Sequence, residues 1–481
     1  MNFAIVRYLI GWTLGIESIF LLLPALTAVI YGEAELPAYL TAAAISLAGA
    51  ALLCHRKPKN TRFYAREGYV TVALCWLILA VIGALPFVLS REIPFFIDAL
   101  FETVSGFTTT GATILGDVEA LSHASMLWRC LTHWVGGMGV LVFMLIVLPL
   151  AGGQTIFLMR AESPGPAVSK MSPHMRDTAT ILYAIYFGLT VLQMILLLIG
   201  GMPFFDAICV SLGTAGTGGF GNWNDSIAHY NSAYLQNVIT VFMILFGINF
   251  SAYFLILTRK FRQAFRIEEI RVYLGVIFVF AGLIAFNVRP MFGSLRESFH
   301  HALFQVASII TTTGFSTVDF DRWPTFSRAL LVLLMFIGAC AGSTGGGIKC
   351  SRILLLGKSV KKEMMCLIHP RLVRVNKMDG QRVPHEVMRS INVFVVAYAF
   401  IFILSLLIIS LNCEDLVTCF TSVATTLNNV GPGLSLCGPT CNFDFFPPLS
   451  KCVLIFDMLA GRLELFPMLL LFTPGTWQRN K

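Results

Sequence analysis

Four short segments carry the residues of this chain best suited to chemistry: SGFTTTGAT (105–113), TAGTGGFGN (214–222), SIITTTGFST (308–317) and ATTLNNVGPG (424–433). Each joins a central glycine, Gly111, Gly218, Gly314 or Gly431, to small polar side chains, and none contains a carboxylate. Glycine lets a backbone turn its carbonyls through conformations closed to residues with a Cβ. Carbonyls and threonine hydroxyls are neutral oxygens, and a ring of them can replace the hydration shell of a monovalent cation. A calcium filter would instead need a ring of Asp or Glu. The nine histidines are scattered and form no HExxH zinc signature. The pattern implies ion coordination rather than catalysis.

Such loops need rigid elements to hold them, and composition says which. The 481 residues are 56% hydrophobic and 12% charged, with mean hydropathy +0.77; soluble domains carry charge on about 25% of residues. Windows of about 20 apolar residues predict spanning helices over 5–31, 38–54, 68–90, 128–151, 178–201, 234–258, 271–292, 327–350, 389–411 and 450–473. The connections 91–127, 202–233, 293–326 and 412–449 each hold an apolar run too short to cross a bilayer, followed by a glycine loop. Irregular backbone at membrane depth is tolerated only where protein buries it or water lines it. Half-helices are predicted near 96–108, 204–214, 299–310 and 415–426, their partly negative C-terminal ends aimed at a common centre.

The central glycines recur at intervals of roughly a hundred residues, the length of one span–half-helix–loop–span unit. The predicted fold is an all-α polytopic membrane protein. It has four pseudo-symmetric helix–pore loop–helix repeats around one central pore, plus two extra N-terminal transmembrane helices. The expected boundaries are 1–65 for the leading pair, then 66–153, 177–258, 271–357 and 386–481. Basic residues mark the cytoplasmic side. They gather in the remaining connections, as Arg56, Lys57, Lys59, Arg62 and Arg66, as Arg259, Lys260, Arg262, Arg266 and Arg271, and between Lys358 and Arg389. Both termini are therefore expected inside and the glycine loops outside. The net charge of +8 lies in these loops and does not suggest nucleic acid.

The third repeat's inner span carries GACAGSTGGGIK (338–349). Four glycines in six residues make a poor helix, each costing up to about 1 kcal/mol relative to alanine. A phosphate-loop reading fails because Ile348 separates the last glycine from Lys349 and no strand precedes it. A flexible loop beneath the filter fits better. Arg462 lies within the last span, and an intramembrane arginine usually faces a cavity or a partner; Asp457 is its expected counter-charge, with Glu464 two positions on. Cys413, Cys419, Cys437 and Cys441 fall on the predicted outer side, where Cys437–Cys441 could bridge or remain thiols. Glu17, Arg7 and Glu102 also lie near apolar stretches, and their spacing assigns them no role.

Taken in order, SGFTTTGAT, HWVGGMG (133–139), RAESPGP (160–166), GACAGSTGGGIK, TLNNVGPG (426–433) and GRLE (461–464) resemble the Trk/Ktr/HKT superfamily of potassium transporters. The likeness is closest to the bacterial Trk potassium-uptake membrane subunit and runs through nearly the whole length. It implies potassium as the ion, with filter positions Thr109-Thr110-Gly111, Gly216-Thr217-Gly218, Thr312-Thr313-Gly314 and Asn429-Val430-Gly431. The second loop departs most, lacking a hydroxyl where the first and third have threonine. It implies a gate built from Gly342, Ser343, Thr344, Gly345, Gly346, Gly347 and Lys349, with Arg462 beside the pore. It further implies a homodimer in the bacterial inner membrane, lipid-embedded, controlled by a cytosolic ring of nucleotide-binding regulatory subunits (TrkA type), with no organic cofactor on this chain. A proton- or sodium-coupled symporter is the alternative, since broken helices and repeats also occur in carriers.

Overall fold

The computed structural model describes residues 1–58, 64–147, 175–371 and 375–478. RAESPGP, residues 148–153 at the end of the first expected repeat, and Lys59, Arg62 and Arg374 lie outside the described residues. The chain is all-α apart from a small hairpin pairing Lys377–Met378 with Gln381–Arg382. Among the described residues, six helices are long and apolar enough to cross a membrane, or seven if one bent pair counts as a span.

The two leading helices, Phe3–Tyr31 and Leu36–Cys54, turn through Gly32 in the left-handed conformation (φ 68°). They pack closely because small residues line their seam, as is usual between helices in lipid. A Cβ on Gly11 would lie 2.6 Å from Cys54 Sγ, and Ser46 donates to the carbonyl of Leu14 across the seam at 2.8 Å. The first residues meet the segment Trp477–Gln478, where the Met1 ammonium reaches the carbonyl of Gln478 at 3.4 Å and Phe3 stacks on Trp477.

Four half-helices follow long helices, as the short apolar runs predict: Phe96–Phe107, Phe204–Gly216, Leu295–Ile310 and Leu416–Leu427. The third and fourth have side-chain caps at their N-terminal ends. Ser294 caps the third through the N–H of Glu297, and Asp415 caps the fourth through the N–H groups of Val417 and Thr418.

Three inner helices are not the continuous spans that hydropathy predicts. The expected span 234–258 bends by 93° between Ala233–Phe246 and Phe250–Leu257. The span over 327–350 ends at Ile337 and a new helix begins at Cys350, so the interruption expected from the glycine cluster of 338–349 is present although hydropathy alone does not reveal it. The last, expected over 450–473, stops at Arg462, where Glu464 and Leu465 take positive φ before a short helix, Phe466–Leu471. Hydropathy sees only side chains, and these breaks remain apolar enough to hide in its average. Broken ends leave backbone groups that need partners. The glycine-rich loop 338–349 supplies them at the bend: Cys340 N–H donates to the carbonyl of Gly247 at 3.1 Å, and Phe250 N–H donates to that of Gly342 at 3.0 Å.

Candidate functional site

The four glycine loops start alike. The N–H groups of Thr110, Gly218, Thr313 and Val430 donate at 2.8–2.9 Å to the carbonyls of Ser105, Gly213, Ser308 and Thr425, five residues earlier in each half-helix. The residue before each of these, Thr109, Thr217, Thr312 or Asn429, is left-handed, with φ between 54° and 59°. The residue after is a left-handed glycine: Gly111 (78°), Gly219 (80°), Gly314 (87°) or Gly431 (95°).

This corrects the register of the second loop. The matching triplet is Thr217-Gly218-Gly219, one residue later than Gly216-Thr217-Gly218, because Gly216 is still the last helical residue. His133 supplies the reason. A Cβ on Gly216 would lie 2.3 Å from the His133 carbonyl, and one on Gly218 would lie 2.3 Å from its imidazole. The ring occupies the space a threonine would need at the second position, and its Nδ1 is fixed 2.8 Å from the carbonyl oxygen of Gly106.

The loops close into a cycle. A methyl built on Gly111 would fall 1.9 Å from the carbonyl oxygen of Gly218, one on Gly219 1.9 Å from that of Thr313, one on Gly314 2.5 Å from that of Val430, and one on Gly431 2.6 Å from that of Thr110. Each glycine thus abuts the carbonyl preceding the glycine of the next loop, and the fourth returns to the first. No side chain fits at these positions, and φ is positive at all of them. The hydroxyls of Thr110 and Thr313 turn back to those of Thr108 and Thr311, at 2.8 and 2.7 Å. Beyond the ring, the descending segments also interlock. Phe443 N–H donates to the carbonyl of Thr113, and Ile227 N–H to that of Ser316, at 2.8 and 3.1 Å.

The loop 338–349 lies against the other end of this ring. Gly346 N–H donates to the Thr312 hydroxyl at 2.7 Å, and Gly347 N–H to the carbonyl of Asn428 at 2.9 Å. A Cβ on Gly345 would lie 2.9 Å from the carbonyl of Thr311, and one on Gly346 2.5 Å from that of Asn428. Thr344 donates its hydroxyl to the carbonyl of Phe246 at 3.3 Å, and Ser343 turns back to Cys340. Gly342, Gly347 and Lys349 have positive φ, and the Lys349 ammonium donates to the carbonyl of Gly345 inside the loop.

Arg462 joins this loop to the helix that follows the first glycine loop. One guanidinium nitrogen donates to the carbonyl of Thr344 and the other to that of Gly136, both at 2.8 Å. Asp457 is not its counter-charge: Asp457 accepts from Ser405 at 2.7 Å, on the neighbouring outer helix. Helical geometry explains this, since five residues is well over a turn and carries the two side chains to different faces. Glu464 instead pairs with Arg352 at 2.6 Å. Cys437 and Cys441 are unbridged thiols, Cys437 buried and Cys441 exposed.

Glu102, to which its spacing assigns no role, sits buried beside the first loop in an ion pair with Arg129 at 2.7 Å. The signal was available: an acid and a base, each within otherwise apolar segments, must find each other or a cavity.

The family described as "Cation transport protein", TrkH, has a model that matches residues 38–280 and 279–478. The Trk system potassium uptake proteins TrkH of Salmonella typhimurium and Escherichia coli are each 38% identical to this chain, over 99% of it and 100% of their own length. The Escherichia coli TrkG protein is 33% identical over 98% of each chain. The crystal structure of the potassium transporter TrkH from Vibrio parahaemolyticus superposes with a TM-score of 0.89 at 32% identity, covering 99% of this chain and 100% of that one.

Proposed function

Since the chain belongs to the TrkH cation transport protein family, a family of transporters rather than enzymes, we propose that it takes up potassium across the inner membrane as the ion-translocating subunit of a Trk-type system. The ion passes through the ring formed by the four glycine loops, with Thr109, Thr110, Gly111, Thr217, Gly218, Gly219, Thr312, Thr313, Gly314, Asn429, Val430 and Gly431 as its filter. The observation that carries this reading is the cycle of glycines, each seated on the carbonyl of the next loop. A closed ring of carbonyls with no carboxylate suits a monovalent cation whose water must be replaced at fixed distances.

The loop Gly342–Lys349, with Arg462, is the gate in this reading. Its support is position: it hydrogen-bonds to Thr312 and Asn428 at one end of the ring. The basic residues of the 351–389 connection face the cytosol, where a nucleotide-binding regulatory ring acts on the loop, and two chains associate in the membrane. The names of the relatives support a multicomponent system.

Purified protein in liposomes tests the proposal. Gly111→Ser and Gly314→Ser are expected to lower the ratio of potassium to sodium flux before they lower the yield of folded protein. Unchanged ratios in both would remove the loops from the ion path. Repeating the measurement with an imposed proton gradient separates a channel from a symporter, because only coupled transport would move potassium against its own gradient.

A further inference from the structure

Behind the first loop lies an ion pair sealed by protein. Glu102, in the half-helix, and Arg129, in the following inner helix, have side-chain exposures of 0% and 2%. The carboxylate accepts from Arg129 Nε at 2.7 Å, takes the Thr113 hydroxyl on both oxygens at 3.0 Å, and takes the backbone N–H of Ile114 at 3.0 Å. Arg129 Nη2 reaches Thr113 Oγ1 at 3.4 Å, and its Nη1 reaches Met126 Sδ at 3.7 Å. Its guanidinium carbon also lies 4.0 Å over the ring of Phe220. Thr113 is two residues past Gly111, and Phe220 directly follows Gly219. One pair of side chains therefore grips the first loop as it leaves the ring and presses on the second.

Among the described residues, no such ion pair stands beside the other three loops. Aligned by the hydrogen bond that starts each loop, the position of Glu102 is held by Val210, Gln305 and Ser422. A buried ion pair is a weak stabiliser, because desolvating both charges offsets most of their attraction, and its best-attested use is to specify one geometry. Here the geometry specified is that of backbone adjoining Gly111 and Gly219.

We propose, resting on the reading of these loops as the ion path, that Glu102 and Arg129 are positioning residues that set selectivity. They hold the carbonyls of the first two loops at the spacing a potassium ion needs. Without them the ring relaxes and admits sodium, while the path stays open.

Liposomes holding the purified full chain give the potassium-to-sodium permeability ratio and the total flux together. Glu102→Gln is expected to lower the ratio by about tenfold, equivalent to about 1.4 kcal/mol of relative barrier, with total flux retained. That variant also strands a buried guanidinium, so its thermal stability should fall. In the double variant Glu102→Gln with Arg129→Met no charge is stranded; stability should recover while the ratio stays low. A wild-type ratio in the double variant would show that the pair only neutralises itself, and would overturn the proposal. If the charge variants do not fold, Thr113→Val and Phe220→Leu decide: both should lower the ratio, and wild-type ratios in both overturn it. Gly111→Ser is measured alongside. Unchanged ratios there and in Gly314→Ser together defeat the reading of the loops as filter, whereas a lowered ratio in Gly111→Ser with a normal one in Glu102→Gln defeats only the brace.

Discussion

Arg462 donates to the carbonyl oxygen of Thr344 at 2.8 Å, so the helix Pro448–Arg462 holds the glycine-rich loop 338–349 through one side chain. Its second nitrogen, on the carbonyl of Gly136, extends that hold to the helix His123–Val147. A guanidinium is suited to this, because its planar fork presents fixed donors in two directions.

A cation passing near this guanidinium is repelled by roughly 4 kcal/mol at 4 Å for an effective dielectric near 20, before screening by water and carbonyls. Arg462→Gln removes the charge and one of the two ties. Potassium uptake, normalised to folded protein, is expected to rise. Arg462→Lys keeps the charge but cannot span both carbonyls, so its uptake should fall between wild type and Gln. Equal rates in all three would place the arginine away from the ion.

Deleting Gly345–Gly347 removes the N–H groups that meet Thr312 and Asn428. Flux without any regulatory partner is expected to increase in the folded variant. A deletion that folds and conducts no faster would leave the loop as a kink in the helix with no control over the path.

The shifted register of the second loop separates two neighbouring glycines. A Cβ on Gly219 would press on the Thr313 carbonyl within the ring, whereas one on Gly216 would press on the His133 backbone behind it. Gly219→Ala is expected to alter the potassium-to-sodium flux ratio. Gly216→Ala should lower thermal stability by about 1–3 kcal/mol, the usual range for overpacking, with the ratio unchanged in what folds. The reverse pattern would restore Gly216-Thr217-Gly218.

Asp415, at the outer end of the fourth half-helix, has its carboxyl pulled down to about 2 by hydrogen bonds from the side chains of Thr418 and Ser435 and from nearby backbone N–H groups. Its folded value lies below the ordinary 3.8, so the cap is fully present above that pH and is lost as pH falls through about 2. Thermal stability of the wild type should therefore decline over this acid window more than that of Asp415→Asn. Parallel declines would remove Asp415 as the source.

Much of this protein is legible in one dimension. Apolar length requires helices wherever lipid leaves the backbone no other partner, and this fixed the long helices and the half-helices such as Leu416–Leu427. The glycines at 111, 314 and 431 were also readable, because only glycine suits positive φ against a neighbouring carbonyl. Other features arise from contacts between segments far apart in the chain. The register of the second loop depends on where His133 sits, its carbonyl against Gly216 and its ring against Gly218, over eighty positions away. The bend after Phe246 is stable only because the loop at Cys340–Gly342 completes its hydrogen bonds. Glu102 and Arg129, and likewise Asp457 and Ser405, were visible as polar residues in apolar runs, but partner choice needed the packing. Sequence determined the long helices, the half-helices and the glycine loops that follow them; the tertiary structure decided the breaks after Phe246 and Arg462 and which freed polar groups satisfy one another, since that depends on distance in space.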